Sequence, residues 1–326
     1  MGRARTPTID VHVTEEDLRR AMRQDVEAGL GADPKWLSPV WFYDDRGSEL
    51  FDAITRLPEY YLTRAERRLL ERHADDIASL SGADSLVELG AGTCDKSRVL
   101  LDAFARAGTL DRYIPLDVSD GTLVSAAARL AEEYPTLSVH AVVGDFHRHL
   151  DRIPHGGRRL VAFLGSTIGN LVPEERRRFL FDLDCVLDSG DSLLIGTDLV
   201  KDSGRLLAAY DDAAGVTADF NRNVLRVLNR ELDANFDPEA FVHVVRWDAE
   251  AGHMEMRLRS TADQVVKIGV LGMEAAFGAG EELRTEISAK FTVAQVEEEL
   301  FAAGFVVRAM WEDPEGFLLT LASPYC

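Results

Sequence analysis

From residue 85 onward, short apolar runs alternate with longer amphipathic stretches. Residues 85–89, 113–117, 138–143, 159–164 and 192–196 read as strands, and 96–107, 121–134 and 173–187 as helices between them. Strands that are apolar on both faces and separated by helices predict a parallel sheet covered on both sides. Right-handed crossovers then leave few topologies. Upstream, residues 15–30 have a helical rhythm, residues 36–61 are rich in aromatic side chains, and Thr63 with Glu66 three residues on has the spacing of a helix capping box for a helix ending near residue 80.

Past Asp202 the alternation stops. Residues 205–231 read as one long helix, and 240–246, 253–260, 264–271 and 283–291 alternate as antiparallel strands do. A helix at 292–303 and strands at 306–311 and 316–321 end the chain, the last two as an antiparallel edge of the sheet. The predicted organisation is α/β, with a Rossmann-like sheet domain of residues 63–201 and 290–326. Residues 1–62 and 202–289 form an inserted α+β lobe.

Composition narrows the function classes. The 326 residues carry 36 Lys and Arg against 56 Asp and Glu, a net charge of −20. So acidic a surface repels phosphate backbones and anionic lipid, which argues against nucleic-acid and membrane partners. Three cysteines without a CxxC pair argue against a disulfide framework. No apolar run reaches the ~18 residues of a membrane span, and no apolar run follows the basic N-terminus, so a cytoplasmic location is expected. The eight histidines show no metal-ligand spacing, and no metal is expected. His147 and His149 read as surface residues.

The first strand ends in Val87-Glu-Leu-Gly90-Ala-Gly92-Thr93. Glycines there let the backbone approach a ligand ahead of a helix N-terminus. A dinucleotide fingerprint needs a third glycine, and Asp95 is unfavourable beside a pyrophosphate. S-adenosylmethionine has no phosphate and carries an ammonium, so it suits this loop better. Asp117, 27 residues past Gly90, ends the second strand, where an acidic residue accepts ribose hydroxyls. Asp145 and Phe146 end the third, a carboxylate for an adenine amino group beside a ring that stacks. Asn170, in a glycine-flanked turn after the fourth strand, is a candidate for an α-carboxylate or amine. Glu286 and Ser288 alternate with Ile287 on one strand, together with Arg284 and Lys290, so those four side chains are expected on one face.

Several long stretches together resemble the L-histidine Nα-methyltransferases of ergothioneine biosynthesis over nearly the whole chain. They are YDDRGSELFDAITRLPEYYLTRAE, VELGAGT, FLGSTIGNL, GTDLVKD, AYDDAAGVTADFNRNVLRVLNREL and LRTEISAKF. The resemblance implies a class I methyltransferase domain and a separate substrate lobe. It implies that Gly90, Lys96, Asp117, Asp145 and Phe146 hold S-adenosylmethionine, and that Asn170 and Tyr210 hold the carboxylate and amine of L-histidine. Glu286 and Ser288 would grip the imidazole with Met256 nearby, and Tyr43, Phe51 and Tyr60 would line the amine side. Tyr43 is then the candidate proton acceptor, directly or through a water. The expected reaction is three successive methyl transfers to the α-amine, giving hercynine, by a protein expected to be monomeric. The alternatives are Nα-methylation of another aromatic amino acid, such as a tryptophan derivative, and a non-catalytic protein that binds S-adenosylmethionine.

Overall fold

The computed structural model describes residues 6–92, 94 and 96–325. Thr93 and Asp95, and with them part of the glycine-loop reading, lie outside the described residues. The chain opens with strand β1 (Thr8–Val11), helices α1 (Glu15–Gly31), α2 (Asp45–Thr55) and α3 (Leu62–Ser81). It continues through β2 (Ser85–Leu89), α4 (Ser97–Ala107), β3 (Arg112–Asp117), α5 (Asp120–Glu133), β4 (Ser138–Val143), β5 (Arg159–Phe163), α6 (Pro173–Val186) and β6 (Ser192–Asp198). Then follow α7 (Ser203–Tyr210), α8 (Val216–Leu232), β7 (Phe241–Asp248), β8 (His253–Ser260), β9 (Gln264–Ile268), β10 (Met273–Phe277) and β11 (Glu282–Ala289). Helix α9 (Val293–Ala302), β12 (Phe305–Asp313) and β13 (Phe317–Pro324) complete it.

Two compact units result. One holds the residues through Thr14, Arg64–Leu199 and the chain from Phe291 onward; the other holds Glu15–Thr63 and Val200–Lys290. The first unit is built on an eight-stranded sheet of order β1-β4-β3-β2-β5-β6-β13-β12. Strands β1 to β6 pair in parallel, and β13 runs antiparallel between β6 and β12. Every residue of β2, β5, β6 and β13 is buried, as strands covered on both faces require. The fold is Rossmann-like, and the order reverses beside β2, where ligands of open α/β sheets bind.

The second unit holds a three-stranded antiparallel sheet, β11-β8-β7, and the hairpin β9-β10. Helices α2 and α8 pack against each other. Asp44 caps α2 by accepting from the Gly47 amide at 2.7 Å, and the same oxygen takes the Asn223 amide of α8 at 2.7 Å.

The structure corrects four expectations. The N-terminal segment does not belong wholly with the inserted lobe: β1 pairs with β4 at the sheet edge, from Thr8 opposite His140 to Val11 opposite Val143. The stretch 205–231 is two helices, because Asp212 accepts from the amides of Val216 and Thr217 and Gly215 takes φ +75°, turning the chain between them. β10 was not anticipated, and its hairpin partner β9 ends at Ile268 in a single 3₁₀ turn. Thr63 lies inside α3 rather than capping it, and Glu66 has a different task, described below.

Candidate active site

On the sheet unit, the loop after β2 curls back on β3. Gly90 and Gly92 have φ of +70° and +51°, a backbone that residues with a Cβ rarely adopt. The Gly90 amide donates to the Leu116 carbonyl at 2.9 Å. The Gly92 amide donates to Asp117 Oδ2 and the Ser119 amide to Asp117 Oδ1, both at 2.9 Å. Asp117 therefore ties the glycine loop to the start of α5, and each oxygen keeps acceptor capacity, as a vicinal diol needs. Burial raises its pKa above the usual carboxylate range against these amide bonds. Within the same motif Glu88 is buried and structural, accepting from Tyr113 at 2.6 Å and from Ser97 of α4. Burial pushes the Cys94 thiol up to about 12, which leaves it no thiolate for chemistry.

Asp145 accepts from the His147 amide at 2.8 Å, while its own amide donates to His149 Nδ1 at 3.0 Å. His149 is thus not simply a surface residue; its ring also stacks on His12. Phe146 packs edge-on to Phe163 and Phe179, with ring centroids 5.2 and 5.7 Å away, and is half-buried. A Cβ added at Gly90 would come within 4.0 Å of the Phe146 ring, so ring and loop bound one space.

Lys96 Nζ donates to Glu66 Oε2 at 2.6 Å, and the other oxygen of Glu66 takes the Gly165 amide at 2.6 Å. Glu66 is fully buried and clamps the loop after β2 to the loop after β5. Its sequence signal, a Glu three residues after a Thr, was indistinguishable from a helix cap. Asn170 ends the 3₁₀ turn Thr167–Asn170; it is half-buried and its side-chain amide has no hydrogen-bond partner among the described residues.

The second unit gathers the remaining candidates. Tyr43, Phe51, Tyr60 and Tyr210 form a chain of edge-to-face rings, with centroids 5.6, 6.1 and 6.4 Å apart in succession. Phe220 of α8, which sequence reasoning missed, packs on both Tyr43 and Phe51. Burial raises the Tyr43 phenol above its ordinary value, and so do the charges of Glu286 and Tyr210. The residue as a whole is 47 % exposed. Met256 of β8 is buried directly across from Glu286 of β11.

The register of β11 slips between Arg284 and Glu286, leaving Thr285 as an extra residue. That bulge breaks the alternation, so Arg284 does not continue the row of Glu286, Ser288 and Lys290. The Glu286 carboxylate is half-buried and accepts no hydrogen bond among the described residues; burial pushes it up to about 7, and Lys290 partly offsets this. Ser288 Oγ takes the Tyr210 hydroxyl at 2.8 Å and Lys290 Nζ at 2.9 Å, and Lys290 Nζ also donates to the Tyr210 hydroxyl at 2.8 Å. All three are buried. Lys290 was expected on this face from its phase with Glu286 and Ser288, but was not among the candidate ligands.

Among the described residues, no His, Cys, Asp and Glu cluster could hold a metal ion, and no helix is long and apolar enough to cross a membrane.

A family model described as histidine-specific, SAM-dependent methyltransferase matches residues 22–323. The chain is 54% identical over 318 residues to a histidine N-alpha-methyltransferase of Mycolicibacterium smegmatis, covering 97% of this chain and 99% of that one. It is 52% identical over 313 residues to the protein of the same name from Mycobacterium tuberculosis, covering 96% and 98%. It is 31% identical over 287 residues to ergothioneine biosynthesis protein 1 of Neurospora crassa, covering 85% of this chain and 32% of that one.

Proposed function

Because the chain belongs to the family of histidine-specific, SAM-dependent methyltransferases, we propose that it methylates the α-amino group of L-histidine three times, ending at the trimethylated product hercynine. The observation that carries the substrate assignment is the Glu286 carboxylate: half-buried, accepting no hydrogen bond among the described residues, across from Met256 and in phase with Ser288. A carboxylate kept in such a place without a protein donor favours a ligand that brings one. The name of the Neurospora relative ties this chemistry to ergothioneine, and we propose the same destination for the product.

The cofactor supplies a methyl group already activated on a sulfonium, which leaves the protein proximity, orientation and proton removal. The residues proposed to hold it fit its chemistry. Asp117 offers acceptors for a ribose diol, Asp145 and Phe146 a carboxylate and a ring for adenine, and Lys96 a cation for a carboxylate. Gly90 keeps the approach clear of a side chain. Asn170 is proposed to take a polar group at the amino acid end of the substrate, and the lack of a hydrogen-bond partner for its side-chain amide among the described residues supports this.

Each transfer needs the amine neutral. Tyr43, with its phenol raised, works as a neutral hydroxyl that orients the amine or relays its proton, not as a stored phenolate base. The ring faces of Phe51, Tyr60 and Tyr210 suit a cation, worth roughly 0.5–2 kcal/mol per ring. A quaternary ammonium cannot lose its charge, so such a surface is of most use at the last transfer.

The test is incubation with S-adenosylmethionine and the twenty amino acids, read by mass spectrometry. The expected result is methylation of histidine alone, reaching three methyl groups, with mono- and dimethyl species appearing first. Methylation of a different amino acid overturns the substrate, and arrest at one methyl group overturns the aromatic argument.

A further inference from the structure

Glu286 and Ser288 are complementary in what they lack. Glu286 accepts nothing among the described residues. Ser288 has both acceptor positions of its hydroxyl filled, by Lys290 Nζ at 2.9 Å and by the Tyr210 hydroxyl at 2.8 Å. A serine hydroxyl has two lone pairs and one proton. With both lone pairs engaged, the proton has to point elsewhere, and no protein acceptor takes it among the described residues. The direction of the Tyr210–Ser288 bond follows from chemistry: a phenol is more acidic than an aliphatic alcohol, and this phenol already accepts from Lys290 at 2.8 Å.

We propose that Lys290 is a specificity-determining residue: by filling a lone pair of Ser288 it makes that hydroxyl an obligate donor. Ser288 and Glu286 then recognise a ring with one acceptor nitrogen and one N–H, which is the neutral imidazole. The proposal rests on the histidine reading and sharpens it. An indole or pyrrole has a nitrogen that only donates, and an imidazolium has two. Either strands the Ser288 proton, or presents a donor to it, in a buried setting where an unmade hydrogen bond is costly. Lys290 touches neither ring nitrogen in this account; it acts through Ser288.

The experiment compares kcat/KM for histidine with that for pyrrolylalanine, taking whichever isomer the wild type uses better. This analogue keeps the size and one N–H of imidazole and replaces the acceptor nitrogen with C–H. The wild type is expected to favour histidine by about 100-fold or more, as polar sites do against analogues lacking a hydrogen-bonding group. In Lys290→Met the freed lone pair lets Ser288 turn and accept, so the ratio should fall at least about tenfold. Calorimetric binding of S-adenosylhomocysteine, expected to be unchanged, shows that the variant is folded. If Lys290→Met loses that binding, Tyr210→Phe, which removes the other donor to Ser288, carries the same expectation and the same refutation. A wild type that does not methylate histidine overturns the histidine reading and this inference with it. Histidine turnover with a ratio that the substitution leaves within about twofold overturns only the role of Lys290.

Discussion

A carboxyl group set among apolar and aromatic side chains without a hydrogen-bond donor keeps its proton to higher pH than one in water. Glu286 is half-buried and accepts no hydrogen bond among the described residues, and burial pushes it from 4.5 up to about 7 despite the nearby charge of Lys290. Between those values the folded chain binds the proton and the unfolded chain does not, so this residue's contribution to stability declines as pH rises from about 4.5 through about 7. Glu286→Gln keeps the shape and removes the charge. At about pH 8.5 the variant should be more stable than the wild type by about 1–2 kcal/mol, discounted for partial exposure, with the gap closing near pH 4.5. Urea denaturation at the two pH values checks this, and an equal gap at both refutes it. Glu286 was legible from its strand phase and the resemblance; its missing partner was not. Glu66 shows the reverse: spacing made it a cap, and only packing revealed a buried carboxylate between Lys96 and Gly165.

The bulge in β11 is held from outside the strand. Thr285 Oγ1 reaches Asn221 Oδ1 at 2.7 Å and the Met256 carbonyl at 3.0 Å. The Asn221 amide nitrogen donates to His243 Nδ1 at 2.8 Å and to the Arg257 carbonyl at 3.1 Å, and His243 Nε2 meets the Tyr210 carbonyl at 2.9 Å. Burial lowers the pKa of His243, which favours the neutral ring that this pattern requires. Helices α7 and α8 and the sheet are thereby locked around the residue pair that the bulge displays. Asn221→Ala should cost about 2–4 kcal/mol by stranding several buried groups at once. It should also raise KM for histidine while leaving cofactor affinity unchanged. Chemical denaturation and steady-state kinetics check the two halves, and an unaltered KM would show that the bulge needs no such support. Residue types alternate straight through Thr285, so the sequence 284–290 does not mark one residue as extra even though the bulge there reverses which face Arg284 shares. The break between α7 and α8 was missed for a related reason: Asp212 and Gly215 interrupt an apolar rhythm that resumes in phase enough to resemble one helix.

At the scale of the whole molecule, the sheet unit is assembled from three separate stretches of chain, and its final strand β13 is inserted between β6 and β12. The opposite edge is lightly held, since β1 is four residues long and mostly exposed. Removing the residues before Thr14 should therefore lower Tm by only about 2–4 °C, and S-adenosylhomocysteine binding should persist. Calorimetry of the truncated chain tests this, and failure to fold would mark β1 as integral to the core. The sequence by itself determined the parallel sheet, the glycine loop with Asp117 and Asp145 at strand ends, and the family. These are local properties: apolar runs of strand length, backbone freedom at Gly90 and Gly92, and motifs long enough to be specific. Only the tertiary structure decided where β1 pairs, what Glu66 and Lys290 bind, and which lone pairs of Ser288 are filled. Hydrogen-bond satisfaction in a buried cluster depends on groups brought together from distant positions in the chain, and no periodicity along the sequence records it.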